Sequence, residues 1–337
     1  MSALAGRPLP RIWLLIDGRP GHDHQVLGVA DALGWPFTVK RIDYGRLARL
    51  PNLLLGRSIS GLSATARAAL APPWPDLVIA AGRRTAPLAR WLKQHKAGML
   101  AVQLMWPGSA RDLDLIAVPE HDRVADRPGM VRTLGTPGRV TPARLAAAAA
   151  RLAPRVVQLP RPHIACLVGG ARRGMSFTPN DAAELARRAS RLAHARGGSL
   201  LVTSSRRTGA DCEQSLARSI EAPHLLHRFA GDNNDLYLGM LGSADAVVVT
   251  ADSASMCSEA CATGRPVFLD GAQKAGLGKL TRLHRRLEQL GYLRPLGAPW
   301  PTAVPPPLEP ASTVAAAIRS LLPKADSGML EPVSAAS

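Results

Sequence analysis

Short runs of apolar residues with little polar interruption recur along the chain, and most are followed by a longer segment whose apolar positions carry helical spacing. In the first half the runs fall at 12–17, 38–42, 76–81, 99–104, 113–118 and 131–134, with helical segments at 22–33, 85–96 and 142–152. Runs that do not alternate suit strands covered on both faces, and their interleaving with helices predicts parallel β-α units rather than a bundle or a sandwich. After a stretch with three prolines and two basic residues at 152–162, the pattern starts again. Strands are predicted at 163–168, 199–203, 224–227, 246–250 and 266–269, and helices at 181–196, 212–220, 236–241, 255–263 and 280–290. A Pro-rich segment at 299–310 precedes a last helix at 313–322.

A pattern that occurs twice in 337 residues exceeds what one hydrophobic core usually holds. It predicts an α/β fold of two Rossmann-like domains facing a cleft. The expected boundaries are 1–153 for the first domain, 154–162 for a linker, 163–311 for the second domain, 312–323 for a C-terminal helix and 324–337 for a disordered tail. A single long sheet is disfavoured because the Gly169-Gly170 turn after the first strand of the second series restarts the pattern, as a second nucleotide-binding unit would.

Composition narrows the function classes. With 46% hydrophobic and 20% charged residues the chain is globular, and its net charge of +17 favours anionic partners such as nucleic acid, anionic lipid or a phosphorylated ligand. Arginine set among Ala, Pro and Gly is equally what a GC-rich genome produces. No basic run is interleaved with aromatics, so nucleic acid is not an expected partner. Cys166, Cys212, Cys257 and Cys261 form no CxxC pair, which points away from a disulfide framework or zinc ribbon and toward a reducing cytoplasm. The first eleven residues lack a signal-peptide core and no stretch approaches the roughly 20 apolar residues of a membrane span. Membrane contact is therefore expected only at the surface. Leu53, Leu54 and Leu55 among Arg46, Arg49, Arg57 and Arg67 suit an anionic bilayer, or else a helix packed on the first domain with solvated arginines.

The strongest chemical signal is Thr250-Ala-Asp-Ser-Ala-Ser-Met-Cys-Ser-Glu-Ala-Cys-Ala-Thr-Gly-Arg-Pro266, a strand end leading through small residues into a helix. Ser253, Ala254, Ser255 and Met256 would let a diphosphate approach unpaired N–H groups at the helix start, and Glu259 could accept hydrogen bonds from a ribose. A plain helix capped by Ser255 fits the same residues. Arg83-Arg84 and Arg206-Arg207 follow strands, where α/β sheets bind ligands, and Arg172 and Arg173 follow the Gly169-Gly170 turn. Gly170, Arg172 and Arg206 are thus donor-diphosphate candidates, although arginine pairs are also common on solvated turns. Glu120, His121 and Asp122 are adjacent, and adjacent side chains rarely converge on one ion, so this segment is read as a loop lining the cleft and no metal is expected. Cys257 and Cys261 share a helix face and are expected in the core.

Two resemblances rest on these residues. Glu259-Ala-x-Ala-x-Gly-x-Pro266, with Phe229-Ala-Gly-Asp-x-x-x-Leu-Tyr237 and Ala244-Asp245 before it, resembles the donor site of two-domain (GT-B) glycosyltransferases, especially the lipid-intermediate N-acetylglucosaminyl transferases. That resemblance implies Phe229 and Ala230 near the nucleobase, 253–256 near the diphosphate, Glu259 on the ribose, and Gln273 and Lys274 at the donor sugar. Asp17-Gly-Arg-Pro-Gly-His22 resembles the same enzymes' acceptor loop, with Arg19-Pro20 standing where that loop has small residues. It implies His22 as general base, with Gly18 and Gly21 in the acceptor loop, while Arg83 and Arg84 after their strand and Glu120 in the cleft-lining loop are read as acceptor-side from their own positions. A capping role for His22 is the alternative.

Across nearly the whole chain, Asp17-Gly-x-x-Gly-His22, Gly82-Arg-Arg84, Val118-Pro-Glu-His-Asp122, Thr203-Ser-Ser-Arg-Arg-Thr208 and Val249-Thr-Ala-Asp-Ser-x-Ser-Met256 resemble the family of the plant mitochondrial-fission (elongated mitochondria) factor. The plant member is associated with recruiting a dynamin-related protein to mitochondria. The expected function is binding of a nucleotide diphosphate sugar, UDP-linked by the resemblance, and its transfer to an acceptor of unknown identity without metal or other cofactor. The acceptor would be lipid-linked if the related transferase is a guide. The alternative is a non-catalytic adaptor that keeps the fold. A nicotinamide-dependent epimerase is weakened because neither Gly-rich turn gives a clean GxGxxG.

Overall fold

The computed structural model describes residues 9–229, 231, 234–275 and 278–322, and the side chains of residues 53, 234, 274 and 275 are not among those described. The expected tail 324–337 lies outside the described residues.

Two six-stranded sheets, each wholly parallel, form the framework. The first contains β1 (Ile12–Ile16), β2 (Phe37–Arg41), β3 (Leu77–Ala81), β4 (Leu100–Leu104), β5 (Leu115–Pro119) and β6 (Met130–Thr133), in the spatial order β2-β1-β3-β4-β5-β6. Between its strands run α1 (Pro20–Leu33), two short helices α2 (Asn52–Leu55) and α3 (Ala64–Ala68), and α4 (Ala86–His95). After α5 (Pro142–Val156) the second sheet is built from β7 (His163–Leu167), β8 (Ser199–Thr203), β9 (His224–His227), β10 (Ala246–Thr250), β11 (Val267–Asp270) and β12 (Leu293–Pro295), in the order β12-β11-β10-β7-β8-β9. Its helices are α6 (Pro179–His194), α7 (Ala210–Ser219), α8 (Asn234–Ser243), α9 (Ala254–Cys261) and α10 (Lys279–Gln289), and α11 (Pro310–Leu321) closes the chain.

The central strands β1, β3, β7, β8 and β10 are buried at every position, which is why their sequences read as unbroken apolar runs. Fully buried Leu14, Ile79, Ile164 and Phe268 each stabilise the fold by roughly 2 kcal/mol through removal of apolar surface from water. The four cysteines are buried and unpaired.

Three elements escape the periodicity: α2, α3 and the three-residue β12 are too short to show a period. The 152–162 segment, expected as a linker, is helical as far as Val156, with Pro154 inside the last turn.

Packing exchanges one helix between the halves. α5 directs Leu145 and Ala148 into the core of the second sheet and pairs with α8. α11 returns to the first sheet, where Val314, Ala315 and Ile318 pack with Val26, Val29 and Leu33 of α1. Asp31 of α1 clamps the outgoing crossover through Arg139 at 2.7 Å and Arg144 at 2.9 Å. Close backbone approach needs small residues here: a Cβ on Gly28 would overlap the Gly138 carbonyl, and one on Gly135 would lie 2.6 Å from Ser258 Oγ. α1 and α9, which follow the C-terminal ends of β1 and β10, are thereby brought together.

Candidate functional site

On the first half the site starts where β1 ends. Gly18 has φ +73°, which turns the chain sharply and which an L side chain resists. Pro20 then occupies the first turn of α1, and Arg19 is its N-cap residue without a side-chain cap. The capping alternative for His22 therefore fails, since His22 lies inside the helix and donates its backbone N–H to Arg19 O at 2.8 Å. Its ring reaches back, with Nδ1 3.2 Å from Asp17 Oδ2. The Asp17 side chain is only 1% exposed and that of His22 17%.

The ring also lies against Gly82, which follows the end of β3. Tyr44 presents a buried hydroxyl with no hydrogen-bond partner among the described residues, and burial followed by the Asp17 charge pushes its pKa well up. Arg84 lies over the Tyr44 ring, 5.6 Å from its centroid. Arg83 is committed elsewhere: it donates to Leu50 O at 2.9 Å and Asn52 Oδ1 at 3.2 Å, fastening the 50–52 segment. Gly21 has neither a positive φ nor a crowded Cβ position, so neither local requirement for glycine applies there.

Glu120 does not join this group. The 120–122 turn abuts α10, where Glu120 faces Arg286 at 3.5 Å, Asp122 faces Lys279 at 3.3 Å, and Arg282 Nε donates to His121 O at 3.0 Å. It forms a seam between the halves. Burial drives both His121 and His284 beneath the usual imidazole range, to about 4, so neither is charged at neutral pH. Among the described residues no group of three or more His, Cys, Asp or Glu is arranged to hold a metal ion.

On the second half, α9 begins at Ala254. Ser253, rather than Ser255, is the N-cap, its Oγ accepting from Met256 N at 3.3 Å. That bond engages two of the groups expected to meet a diphosphate. One turn on, Glu259 accepts from the Tyr237 hydroxyl at 2.6 Å, and burial lifts its carboxyl to about 7 against the lowering effect of that bond. Its side chain is 11% exposed, and His24 Nδ1 lies 4.0 Å away across the junction of the halves.

The Gly169-Gly170 turn has a different occupant from the expected ligand. Asp252 fills it, accepting from Gly170 N at 3.2 Å and Thr250 Oγ1 at 2.6 Å, with Arg207 at 2.6 Å. A Cβ on Gly169 would overlap the Asp252 carboxylate, and one on Gly170 the Arg207 carbonyl, so both glycines are required by this packing. Arg172 Nη1 donates to the Asp252 carbonyl at 3.5 Å. Of the 206–207 pair, Arg207 turns inward and Arg206 is exposed. Gln273 lines the adjoining pocket with Gly170, Thr250 and Asp270. Phe229 is 41% exposed and its N–H donates to Ser204 Oγ at 2.8 Å. Ala230 and the side chain of Lys274 lie outside the described residues.

The structure thus brings together His22, Gly18 and Arg84 on one half and 253–256 with Glu259 on the other, while Glu120 and Arg83 are paired elsewhere and Arg206 is exposed. Asp17, Tyr44, Gly82, Tyr237 and Asp252 were not assigned site roles from sequence, and of the Arg206-Arg207 pair it was Arg206 that was singled out for the diphosphate. Asp17, Gly82, Tyr237 and Asp252 sit within the quoted motifs, so membership of those segments was the available signal; Tyr44 offered none of comparable strength.

Solved structures share this architecture. The UDP-GlcNAc 2-epimerase of Methanocaldococcus jannaschii aligns over 92% of this chain and 99% of its own, with a TM-score of 0.53 at 11% identity. The fold is the two-domain GT-B arrangement. Among sequence relatives, the uncharacterized protein RP120 of Rickettsia prowazekii is 27% identical over 296 residues, covering 77% of this chain and 82% of that one. The mitochondrial fission protein ELM1 of Arabidopsis thaliana is 26% identical over 265 residues, covering 72% of this chain but only 62% of the plant protein. The profile of the family described as mitochondrial fission ELM1 matches residues 20–322, and the chain belongs to that family.

Proposed function

We propose that this protein binds a nucleotide diphosphate sugar, UDP-linked, on its second half and transfers the sugar to a hydroxyl acceptor on its first. The observation that carries this reading is the 4.0 Å approach of His24 to Glu259, which brings the helix bearing His22 against the helix whose start would hold the donor diphosphate. The UDP-GlcNAc epimerase that shares the fold acts, by its name, on a UDP-sugar. In the proposed step His22 Nε2 takes the acceptor hydroxyl proton, the oxygen bonds to the anomeric carbon, and the sugar–phosphate bond breaks with its electron pair leaving on the diphosphate. The dipole at the α9 start and nearby arginines would stabilise that charge, with Glu259 holding the ribose and Gln273 and Lys274 the sugar. No metal or other cofactor enters this scheme.

The adaptor reading is favoured by one observation. Asp252 already consumes the Gly170 N–H and Arg207, groups that a bound diphosphate would use. Peripheral membrane contact is part of the proposal too, through exposed Leu47, Leu50 and Leu54 beside Arg46 and Arg49. Leu55 is buried and Arg57 is paired with Asp112 at 2.6 Å, so these two drop out of the expected patch.

Donor hydrolysis or transfer, measured for the native chain and His22→Ala beside a melting curve, tests the reading. The base role predicts a fall in turnover of roughly 10² to 10⁴ with donor affinity and melting nearly unchanged. Tight donor binding with no nucleotide released to any lipid, glycan or protein acceptor supports the adaptor instead.

A further inference from the structure

We propose that Asp17 is a positioning residue, which fixes His22 in the Nδ1–H form and leaves the Nε2 lone pair as the basic atom facing the cleft. The inference rests on the glycosyl-transfer reading for the use of that lone pair, but the pairing itself is tested without turnover.

A carboxylate can only accept, so a bond from His22 Nδ1 to Asp17 Oδ2 at 3.2 Å places the imidazole proton on Nδ1. Nε2 is then an acceptor, and it has no protein partner among the described residues. Asp17 is itself held. Its Oδ1 accepts from Arg19 N at 3.3 Å, its own N–H donates to Asp23 Oδ1 at 3.2 Å, and Arg19 Nε lies 3.8 Å from Oδ2. A carboxylate 1% exposed and restrained on both sides cannot swing into solvent.

The ring is seated as firmly. Gly82 has φ +77°, and a Cβ there would overlap Cε1 of His22 and lie 2.9 Å from Nδ1 and 3.1 Å from Nε2. Its carbonyl is fixed in turn, accepting from Gln103 Nε2 at 2.8 Å and Thr85 Oγ1 at 3.1 Å, both side chains being fully buried. Three strand ends therefore cooperate: β1 supplies Asp17, β3 supplies the glycine floor, and β4 braces that floor with Gln103. Buried polar groups cost stability unless bonded, and bracing the Gly82 carbonyl gives Gln103 and Thr85 a shared purpose.

The experiment is long-range ¹⁵N–¹H correlation of the imidazole rings in the full chain at mildly alkaline pH, with His22 identified by the signals lost in His22→Gln. The native chain is expected to show the Nδ1–H form for His22, and Asp17→Ala to convert it mainly to Nε2–H. An Nε2–H native ring, or a form unchanged in Asp17→Ala, would overturn the proposal. Should Asp17→Ala not fold, the native spectrum decides alone. Where turnover is present, Asp17→Ala lowers it about 10²-fold or more with donor affinity unchanged. A rate loss without the change of form counts against the pairing, whereas the expected form in a chain without turnover removes only the glycosyl-transfer reading.

Discussion

Tyr237 donates its hydroxyl to Glu259 at 2.6 Å, joining the helix before β10 to the helix after it and leaving one carboxyl oxygen turned toward His24 of the other half. Glu259 is thus at once a largely buried acidic group facing the other half and the residue that resemblance assigns to a donor ribose.

Its raised pKa makes a stability prediction. The folded chain holds the Glu259 proton up to about pH 7, while the unfolded chain releases it near 4.5. The resulting stabilisation is complete below the lower value and is lost as pH rises through the upper one, to a total on the order of 3 kcal/mol. Glu259→Gln is expected to melt higher than the native chain above pH 8, with the advantage vanishing toward pH 5. Melting curves across that range check it, and parallel profiles would show Glu259 to be ionised throughout.

Donor affinity gives the second prediction. If Glu259 holds the ribose, Glu259→Ala weakens UDP binding above pH 8, where the carboxyl is ionised, by roughly 10- to 100-fold, the worth of hydrogen bonds to a charged acceptor. Calorimetry with UDP measures it, and equal affinities in the two chains would remove Glu259 from the donor site.

The neighbouring arginines are expected to behave differently. Arg207→Ala strips the partner from a carboxylate that is 3% exposed and should cost roughly 2–3 kcal/mol, the partial exposure of Arg207 trimming the penalty. Arg206→Ala, which removes an exposed side chain, should fall within about 0.5 kcal/mol of native. Urea unfolding of both variants separates the buried ion pair from the surface charge.

The exposed leucines at 47, 50 and 54 predict binding to anionic vesicles at low salt that weakens as salt is added. Replacing all three by Ser should abolish co-sedimentation while leaving the melting temperature unchanged, because none lies in a core. Equal pelleting with neutral and anionic lipid, or none with either, would dismiss the patch.

Much of the fold was legible in the chain because burial leaves its mark on each strand locally. Strands such as 77–81 and 246–250 are covered on both faces, so each is an uninterrupted apolar run, and the break between the two series marked two sheets. The turn before His22 and the helix start at 253–256 were likewise visible, since glycine and small residues at strand ends follow from local backbone requirements. Sequence order could not show that α5 packs on the second core and α11 on the first, because an amphipathic helix specifies a buried face and not the sheet that buries it. Nor could it choose Arg207 over Arg206, or put Gly82 beneath the ring of a histidine sixty residues earlier. Those outcomes depend on which strand ends become neighbours in space, and only the parallel order β2-β1-β3-β4 fixes Asp17, Gly82 and Gln103 side by side around His22.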